Sequence, residues 1–327
     1  MKAIQVSEFG GPEVLKVVDL PQPIPGDGQV LVKVAAAGIN FADLMSRAGT
    51  YPMGPKPPFV PGMEVAGTVE TVGAGVAHLA PGARVFGFVP AFGGYAEYAV
   101  LPAERAIPLP DGIDFATATA LLVQGLTAYF LLEVAPLRHG ESVLVNAAAG
   151  GVGSLAVQIA RLKGAGTVVG TASTDEKRRF VTEDLGATVA VDYTQPGWAQ
   201  AVKDANGGRG IDVFLDATGD IAGEGFDALA EGGRYLFYGA QSGRMSDVPG
   251  SRFGMMLGRN QSIIGYSLYR SVADPEQTVR ALRELMGWVL SGQLKVTVAD
   301  RFPLADADRA HGAIAARKTT GKVVLEP

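Results

Sequence analysis

Residues 142–153 read SVLVNAAAGGVG, and residues 154–163 continue with SLAVQIARLK. The apolar run at 142–147 is typical of a buried strand, and a helical stretch follows it after a turn of small residues. In a strand–turn–helix unit of this kind, backbone N–H groups and the positive end of the helix face one point. The stretch therefore predicts a turn that holds the diphosphate of a dinucleotide.

The small residues of this turn fit a known spacing. Against the pattern G-x-G-x-x-G, Gly150 and Gly153 take the second and third glycine positions, and Ala148 replaces the first. A glycine at 150 lets phosphates approach the backbone, and a glycine at 153 lets the helix pack close to the sheet. Together with Gly151 and Val152 between them, they are the predicted diphosphate contacts. The alternative is a tight turn that binds no ligand.

The segment about 20 residues further on decides which dinucleotide is preferred. A protein that prefers NAD places a carboxylate there, on the ribose 2′-hydroxyl, but this chain has the neutral Ala172. Ser173 adds a hydroxyl, and Lys177 and Arg178 follow within about one helical turn, so the site can accept a 2′-phosphate. We therefore predict NADPH over NADH. The alternative is that the two cations only cover a solvated helix face.

From about residue 115 onward, compact apolar runs alternate with helical stretches. The runs lie at 142–147, 167–171, 189–191, 211–215 and 234–238, and the helix candidates at 152–163, 175–185, 198–205 and 223–230. Continuous apolar strands separated by helices predict a parallel sheet covered on both faces. We therefore predict a doubly wound α/β domain in this part of the chain.

The first 115 residues have a different pattern, in which glycine and proline interrupt short strands. Strands are predicted at 3–6, 30–37, 64–72, 84–89 and 95–100. This favours a barrel-like or sandwich-like β unit. After residue 262 come helix candidates at 275–291 and 305–315, and a closing strand at 322–326 that we expect to pair back into this unit. The predicted domains are residues 1–122 with 263–327, and residues 123–262.

Composition narrows the classes of function. The chain has 28 Lys and Arg against 33 Asp and Glu, a net charge of -5, so no basic excess favours a nucleic-acid partner. It has no cysteine, and its three histidines are far apart, so no metal site is predicted and redox chemistry must come from a bound cofactor. We find no apolar run of membrane-spanning length, and residues 1–6 read as a strand rather than a secretory signal. A soluble, cytoplasmic protein is expected.

A family resemblance is carried by several segments in order along the chain. They are residues 37–43 (AGINFAD), 61–67 (PGMEVAG), 124–128 (QGLTA), 147–153 (AAAGGVG) and 320–325 (TGKVVL). With them the chain resembles the quinone oxidoreductase branch of the medium-chain dehydrogenase/reductase family, the branch that includes zeta-crystallin. The resemblance implies a GroES-like, β-rich catalytic domain, a Rossmann NADPH-binding domain, a cleft between them and a homodimer. It also implies hydride transfer to a quinone or an α,β-unsaturated carbonyl.

The resemblance also bears on zinc. In the zinc alcohol dehydrogenases of the wider family, a cysteine ligand lies in the segment that matches residues 38–43. This chain has Asn40 there and no cysteine anywhere, so the catalytic and structural zinc sites of the family are both absent. Zinc-assisted alcohol oxidation is therefore disfavoured.

Further residues take roles by the same resemblance. Asn40 is expected near the nicotinamide ribose, and Thr127 is expected to line the nicotinamide pocket. The matched 2′-phosphate residues are Ser173, Lys177 and Tyr193, and the matched loop along the cofactor begins with Tyr238 and Gly239. The alternatives are ordinary structural roles: Asn40 as a turn cap, Tyr193 in the core and Thr127 as a plain helix residue.

The proton donor and the substrate are less determined. Tyr51 matches the tyrosine that related enoyl-thioester reductases use as a proton donor, and a water held by Asn40 or Asp43 is the alternative. Met45 stands where many quinone reductases of the branch have a pocket tyrosine, which suggests a differently shaped apolar substrate. An enoyl-thioester reductase and a crystallin-like NADPH-binding protein with little turnover are the rival functions. The sequence leaves open the physiological acceptor, the details of oligomeric state and the role of the 239–258 loop.

Overall fold

The computed structural model describes residues 1–220, 223–240 and 247–327. The chain divides into two compact units: the first comprises Met1–Gln124 and Val296–Pro327, and the second comprises Gly125–Lys295. Residues 263–295, which the sequence predicted in the first unit, therefore group with the second. The physical reasons are parallel strand pairing by residues 262–265 and a 2.6 Å hydrogen bond from Tyr129 to Glu284.

The strands and helices of the described residues have the following bounds. The strands are β1 (Lys2–Val6), β2 (Leu15–Asp19), β3 (Gln29–Ile39), β4 (Glu64–Val72), β5 (Arg84–Phe88), β6 (Tyr98–Pro102), β7 (Ile107–Pro108), β8 (Ser142–Val145), β9 (Thr167–Thr171), β10 (Val189–Val191), β11 (Ile211–Asp216), β12 (Leu229–Phe237), β13 (Ser262–Gly265), β14 (Asp300–Pro303) and β15 (Val323–Glu326). The α-helices are α1 (Phe41–Ala48), α2 (Phe115–Ala120), α3 (Leu126–Val134), α4 (Gly151–Leu162), α5 (Asp175–Arg179), α6 (Trp198–Ala205), α7 (Gly250–Arg259), α8 (Leu268–Ser271), α9 (Pro275–Leu290) and α10 (Ala307–Ala315). A π-helical turn, Leu121–Gly125, lies between α2 and α3.

The first unit is built on a sheet in the order β14-β15-β3-β4-β5-β7, with β6 also paired to β3. The long strand β3 makes this possible, because its start pairs with β6 and its end pairs with β15. The closing strand β15 runs antiparallel to β3, with Val323 opposite Ile39. Apolar residues of these strands and of α10 form one buried core.

The second unit is a parallel sheet in the order β10-β9-β8-β11-β12-β13. All four residues of β8 are buried, as expected of a strand with neighbours on both edges and helices on both faces. Strand order reverses beside β8, which lies between β9 and β11, and ligands of open α/β sheets bind at the carboxyl end of such a point. The predicted α/β fold, a β-rich unit with a Rossmann parallel-sheet unit, is confirmed.

Two local predictions were wrong. Residues 223–230 form a short 3-10 turn, Glu224–Ala228, followed at once by β12, and not an α-helix. A side chain at Gly225 would lie within 2.8 Å of the Phe214 and Trp198 rings, so close packing sets this conformation. The loop predicted at 239–258 contains α7, while residues 241–246 of it lie outside the described residues.

The segment Phe115–Val134 is long and apolar enough to cross a membrane by length and composition. In the structure, 83% of its most apolar window is buried inside the protein. It therefore has the burial of a core helix, and the expectation that no segment passes this length test was wrong.

Candidate functional site

The turn after β8 is held by Asn146, a residue that the sequence analysis did not identify. Its backbone N–H donates to the carbonyl of Leu215 in β11, 3.0 Å away. Its side-chain oxygen accepts from the backbone N–H of Ala147 at 2.8 Å and from the hydroxyl of Thr171 in β9 at 2.7 Å. One buried amide thus fixes the carboxyl ends of three neighbouring strands at the switch point.

The Asp216 carboxylate at the end of β11 completes this arrangement. It is fully buried, and it accepts from the Asn146 amide at 2.9 Å, the Gly219 N–H at 2.8 Å and the Tyr235 hydroxyl at 2.7 Å. The hydroxyl and N–H of Thr218 donate to it as well. Burial and then the charge of Asp216 raise the pKa of Tyr235 far above its usual range. An acidic residue at the end of an apolar run was the only sequence signal for this role.

The predicted diphosphate turn lies between β8 and the start of α4. Gly150 is the N-cap of α4 in an extended conformation, and helix geometry leaves the N–H groups of Gly151, Val152 and Gly153 without intrahelical acceptors. A Cβ on Gly153 would lie 2.3 Å from the Ala147 carbonyl oxygen, so only glycine fits there. The turn itself passes through a left-handed conformation at Ala147, where φ is 52°. The N–H groups at the start of α4 are donors of the kind that an anion site uses.

The segment after β9 carries the predicted 2′-phosphate residues. Thr174 is the N-cap of α5 and accepts from the Lys177 N–H at 3.2 Å, which leaves the Ser173 hydroxyl out of the cap. Ser173 and Lys177 are both half-buried. Arg178 is committed to the protein itself, because it donates to the Ala172 carbonyl at 3.1 Å and pairs with Asp192 at 3.1 Å.

The other predicted cofactor residues, apart from Asn40, lie in the same unit. Tyr193 follows β10 and is half-buried. Tyr238 follows β12, where its N–H donates to the Asp216 carbonyl at 3.0 Å, and burial raises the pKa of its hydroxyl. A Cβ on Gly239 would lie 2.5 Å from the Ala217 carbonyl oxygen, so the two strand ends approach closely here. Thr127 is buried on α3, which packs against α4.

A cavity that the sequence analysis missed lies at the carboxyl ends of β12 and β13. Its volume is about 410 Å³. It is lined by Val134, Phe237, Gly265, Tyr266, Ser267, Arg270 and Ser271. No sequence motif marks these residues, but the carboxyl end of the sheet is where ligands of this fold bind.

In the first unit, Asn40 and Asp43 lie together at the start of α1. Asn40 is the N-cap, and its backbone N–H donates to the Asp43 carboxylate at 2.8 Å. The Asp43 N–H donates back to the Asn40 carbonyl at 3.0 Å. Asn40 therefore does cap a helix, as the structural alternative held, and its side chain makes further hydrogen bonds.

Asp43 is fully buried, and within the described part of the chain one of its carboxylate oxygens has no hydrogen-bond partner. Its pKa is raised to about 7, chiefly by burial and also by the nearby charge of Glu64, while the hydrogen bond from Asn40 and the charge of Lys322 oppose the rise. A buried carboxyl whose pKa is raised in this way is able to hold a proton near neutral pH.

The Asn40 side chain contacts a buried ion pair. Its amide nitrogen donates to Glu64 at 2.8 Å, and its oxygen accepts from the Lys322 ammonium at 3.2 Å. Glu64 and Lys322 also bond directly to each other, and both are buried. Neither residue was singled out for a functional role from the sequence, although both lie within the segments that carry the family resemblance.

Tyr51 lies in the loop after α1, half-buried, with its N–H donating to the Met45 carbonyl at 3.3 Å. Its chain position places it close after the helix that carries Asp43. Across residues 1–220, 223–240 and 247–327, no group of three or more His, Asp or Glu side chains is arranged to hold a metal ion.

Comparison with known proteins matches both units. Residues 26–111 match the family described as alcohol dehydrogenase GroES-like domain, and residues 151–286 match the family described as zinc-binding dehydrogenase. The second description names a metal whose cysteine ligands this chain lacks.

Individual relatives cover the whole chain. A quinone oxidoreductase of Pseudomonas aeruginosa is 38% identical, over 100% of this chain and 99% of its own length. The crystal structure of Escherichia coli quinone oxidoreductase complexed with NADPH has a TM-score of 0.93 at 34% identity and covers 100% of both chains. Quinone oxidoreductase from Thermus thermophilus, whose complex with NADPH is also known, has a TM-score of 0.86 at 37% identity over 100% of both chains.

Proposed function

The chain belongs to the quinone oxidoreductase branch of the medium-chain dehydrogenase/reductase family, and on this premise we propose that it is a zinc-independent, NADPH-dependent quinone reductase. The observation that carries the proposal is the turn at Gly150–Gly153. It stands at the switch point of a six-stranded parallel sheet, its N–H groups at the start of α4 have no intrahelical acceptors, and only glycine fits at 153. NADPH-bound relatives that match this chain over its full length support the same choice of cofactor.

The residues of the second unit fit this cofactor. Gly150, Gly151, Val152 and Gly153 would hold its diphosphate, and Ser173, Lys177 and Tyr193 its 2′-phosphate. Thr127, Tyr238 and Gly239 would lie along its remainder. When bound, NADPH supplies the hydride, and the protein contributes orientation and exclusion of water.

The residues of the first unit would handle the proton and the acceptor. We assign Asn40 the role of hydrogen-bonding to the bound ligands, and Asp43 that of holding a proton near neutral pH. Tyr51 is the proposed proton donor to the reduced acceptor, with solvent as the alternative source. The absence of cysteine supports a mechanism without family-type zinc sites.

An enoyl-thioester reductase is the second candidate function, favoured by Tyr51 because it matches the donor of that class. The test is to follow NADPH consumption by the purified protein with benzoquinone, a simple enone and crotonyl thioester in parallel. We expect acceptor-dependent oxidation with the quinone, and at least about tenfold less with NADH because the 2′-phosphate contacts are lost. Faster turnover of the thioester would overturn the quinone assignment. Tight NADPH binding without turnover of any acceptor would favour the crystallin-like role.

We also propose a cytoplasmic homodimer. The dimer is supported by the outermost position of β13 in its sheet and by the exposed apolar side chains Phe253 and Leu257 on the neighbouring α7. Burial of the apolar segment 115–134 supports a soluble protein. Light scattering coupled to size exclusion measures the mass directly, and a monomer of 33.9 kDa would contradict the dimer.

A further inference from the structure

A buried ion pair in the first unit lies directly against Asn40. Three neighbouring strands bring the pair together, since Glu64 begins β4, Lys322 precedes β15, and β3 runs between them and ends at Ile39, next to Asn40. Glu64 is 0% exposed and Lys322 1% exposed. Two full charges therefore sit out of contact with water, although 258 residues separate them in the chain.

Each hydrogen of the ammonium has an acceptor. Lys322 donates to the Ile39 carbonyl at 3.2 Å, to the Asn40 side-chain oxygen at 3.2 Å and to Glu64. An ammonium group has three hydrogens and accepts nothing, so these contacts use it completely. The second oxygen of Glu64 accepts from the backbone N–H of Val123 at 2.8 Å. Val123 belongs to the π-helical turn, a feature that is frequent at functional sites.

This arrangement determines which way the Asn40 carboxamide points. An ammonium group only donates, so it bonds to the amide oxygen, and a carboxylate only accepts, so it bonds to the amide N–H. Lys322 and Glu64 take one each. The amide nitrogen carries two hydrogens, so one remains for a ligand.

The pair has little freedom to shift. A Cβ on Gly38 would lie 2.3 Å from the Glu64 carboxylate and 2.8 Å from the Lys322 nitrogen. The two charged groups are thus packed against the backbone of Gly38, which has no side chain. A buried ion pair is weak support for stability, because desolvation offsets its attraction. Because the Glu64–Lys322 pair nevertheless bonds to Asn40, a proposed site residue, its position indicates a role in function.

We propose that Glu64 and Lys322 are positioning residues that hold the Asn40 carboxamide with one N–H hydrogen, and not its oxygen, offered to the bound ligands. The inference rests on the proposed function. The partner must then be an oxygen acceptor, either a ribose hydroxyl of the cofactor or the carbonyl oxygen of the quinone. In this scheme neither Glu64 nor Lys322 contacts the ligand, because both act only by orienting the Asn40 side chain.

The test is a double-mutant cycle on the full chain. The charge-neutral variant Glu64→Gln/Lys322→Met is made with Asn40 present and again with Asn40→Ala, and kcat/KM is measured for quinone reduction. With Asn40 present we expect a loss of about 10- to 100-fold, as for a misplaced functional group. With Asn40→Ala we expect less than about threefold further loss, because residues that act through Asn40 have nothing left to position. Equal losses in both backgrounds would show a merely structural role and overturn the proposal.

Three measurements keep the result interpretable. Circular dichroism checks folding, and if the double variant does not fold, Glu64→Gln alone goes through the same cycle. Lys2→Met, which breaks an exposed ion pair with Asp19 in the same unit, is the matched control and should leave kcat/KM unchanged. Fluorescence titration of NADPH separates the two acceptors, since a weaker Kd identifies the cofactor and a changed KM or kcat at constant Kd identifies the quinone.

The proposed function and this inference fail in different ways. If the unmodified chain reduces no quinone, the function is wrong, and the same cycle is then read from the Kd of NADPH. If the unmodified chain is active but the ion-pair variant matches it in kcat, KM and Kd, only the positioning role is wrong.

Discussion

Replacing Gly153 by alanine tests the diphosphate turn directly. The added Cβ would lie 2.3 Å from the Ala147 carbonyl oxygen and 2.8 Å from the Ala148 α-carbon, while ordinary contacts begin near 3.4 Å. The neighbours are backbone atoms and cannot rotate away. Helix α4 and the turn must therefore separate by about 1 Å, at a cost of about 1–3 kcal/mol in the free energy of unfolding.

The same displacement weakens cofactor binding. Hydrogen bonds from backbone N–H groups to a charged phosphate contribute about 1.5–3 kcal/mol each. Two such bonds lost or bent account for about 3 kcal/mol, which corresponds to about 100-fold in the Kd of NADPH. We expect this increase by fluorescence titration at a temperature where the variant is folded.

Gly287→Ala is the matched control, because it lies in α9 of the same unit and an added Cβ meets nothing within 4 Å. It should leave Kd unchanged and raise stability by about 0.5–1 kcal/mol, as alanine does within helices. If folded Gly153→Ala bound NADPH within about threefold of the unmodified chain, the diphosphate would not lie on this turn and the reasoning would fail.

Three further substitutions address the other proposed roles. Lys177→Ala should weaken NADPH binding about tenfold and leave NADH binding unchanged, because only NADPH carries a 2′-phosphate. An equal effect on both cofactors, or the same effect from Arg179→Ala on the exposed side of α5, would refute the role of Lys177. The pKa of Asp43 is raised from 3.8 to about 7, so its contribution to stability is complete below about pH 4 and is lost as pH rises through about 7. Asp43→Asn should remove that loss, which amounts to about 3 kcal/mol between about pH 5 and about pH 8, in urea unfolding, and an unaltered pH dependence would contradict the assignment. Tyr51→Phe should lower kcat about 100-fold at constant NADPH Kd, whereas unchanged turnover across pH would identify solvent as the proton donor.

The diphosphate turn is predictable from local chemistry alone. A strand, a turn of small residues and a helix follow one another within 22 residues, 142–163, so their spacing by itself predicts where an anion binds. The neutral Ala172 and the hydroxyl and cation after it predict the cofactor in the same local way. The segments that carry the family resemblance also predict site residues in the first unit. The roles of Asn40, Asp43 and Tyr51 remain predictions.

The helix expected at 223–230 shows where local reasoning stops. Its residues permit a helix, yet Gly225 packs against Phe214 and Trp198 so closely that no side chain fits. Those contacts come from β11 and α6, and the sequence of the segment itself does not indicate them. Tertiary packing overrides local preference at this point.

The sequence alone was sufficient for the fold class of the two units and for the strand–turn–helix unit at 142–163, since both depend on residues that are neighbours in the chain. Only the folded chain shows that Asn146 and Asp216 lock the strand ends together, and that Lys322 and Glu64 flank Asn40. These partners lie 24 to 282 residues apart. The order in which the strands pair decides which distant side chains meet. Because a charge or an amide is costly to bury without a partner, these buried groups bond to one another.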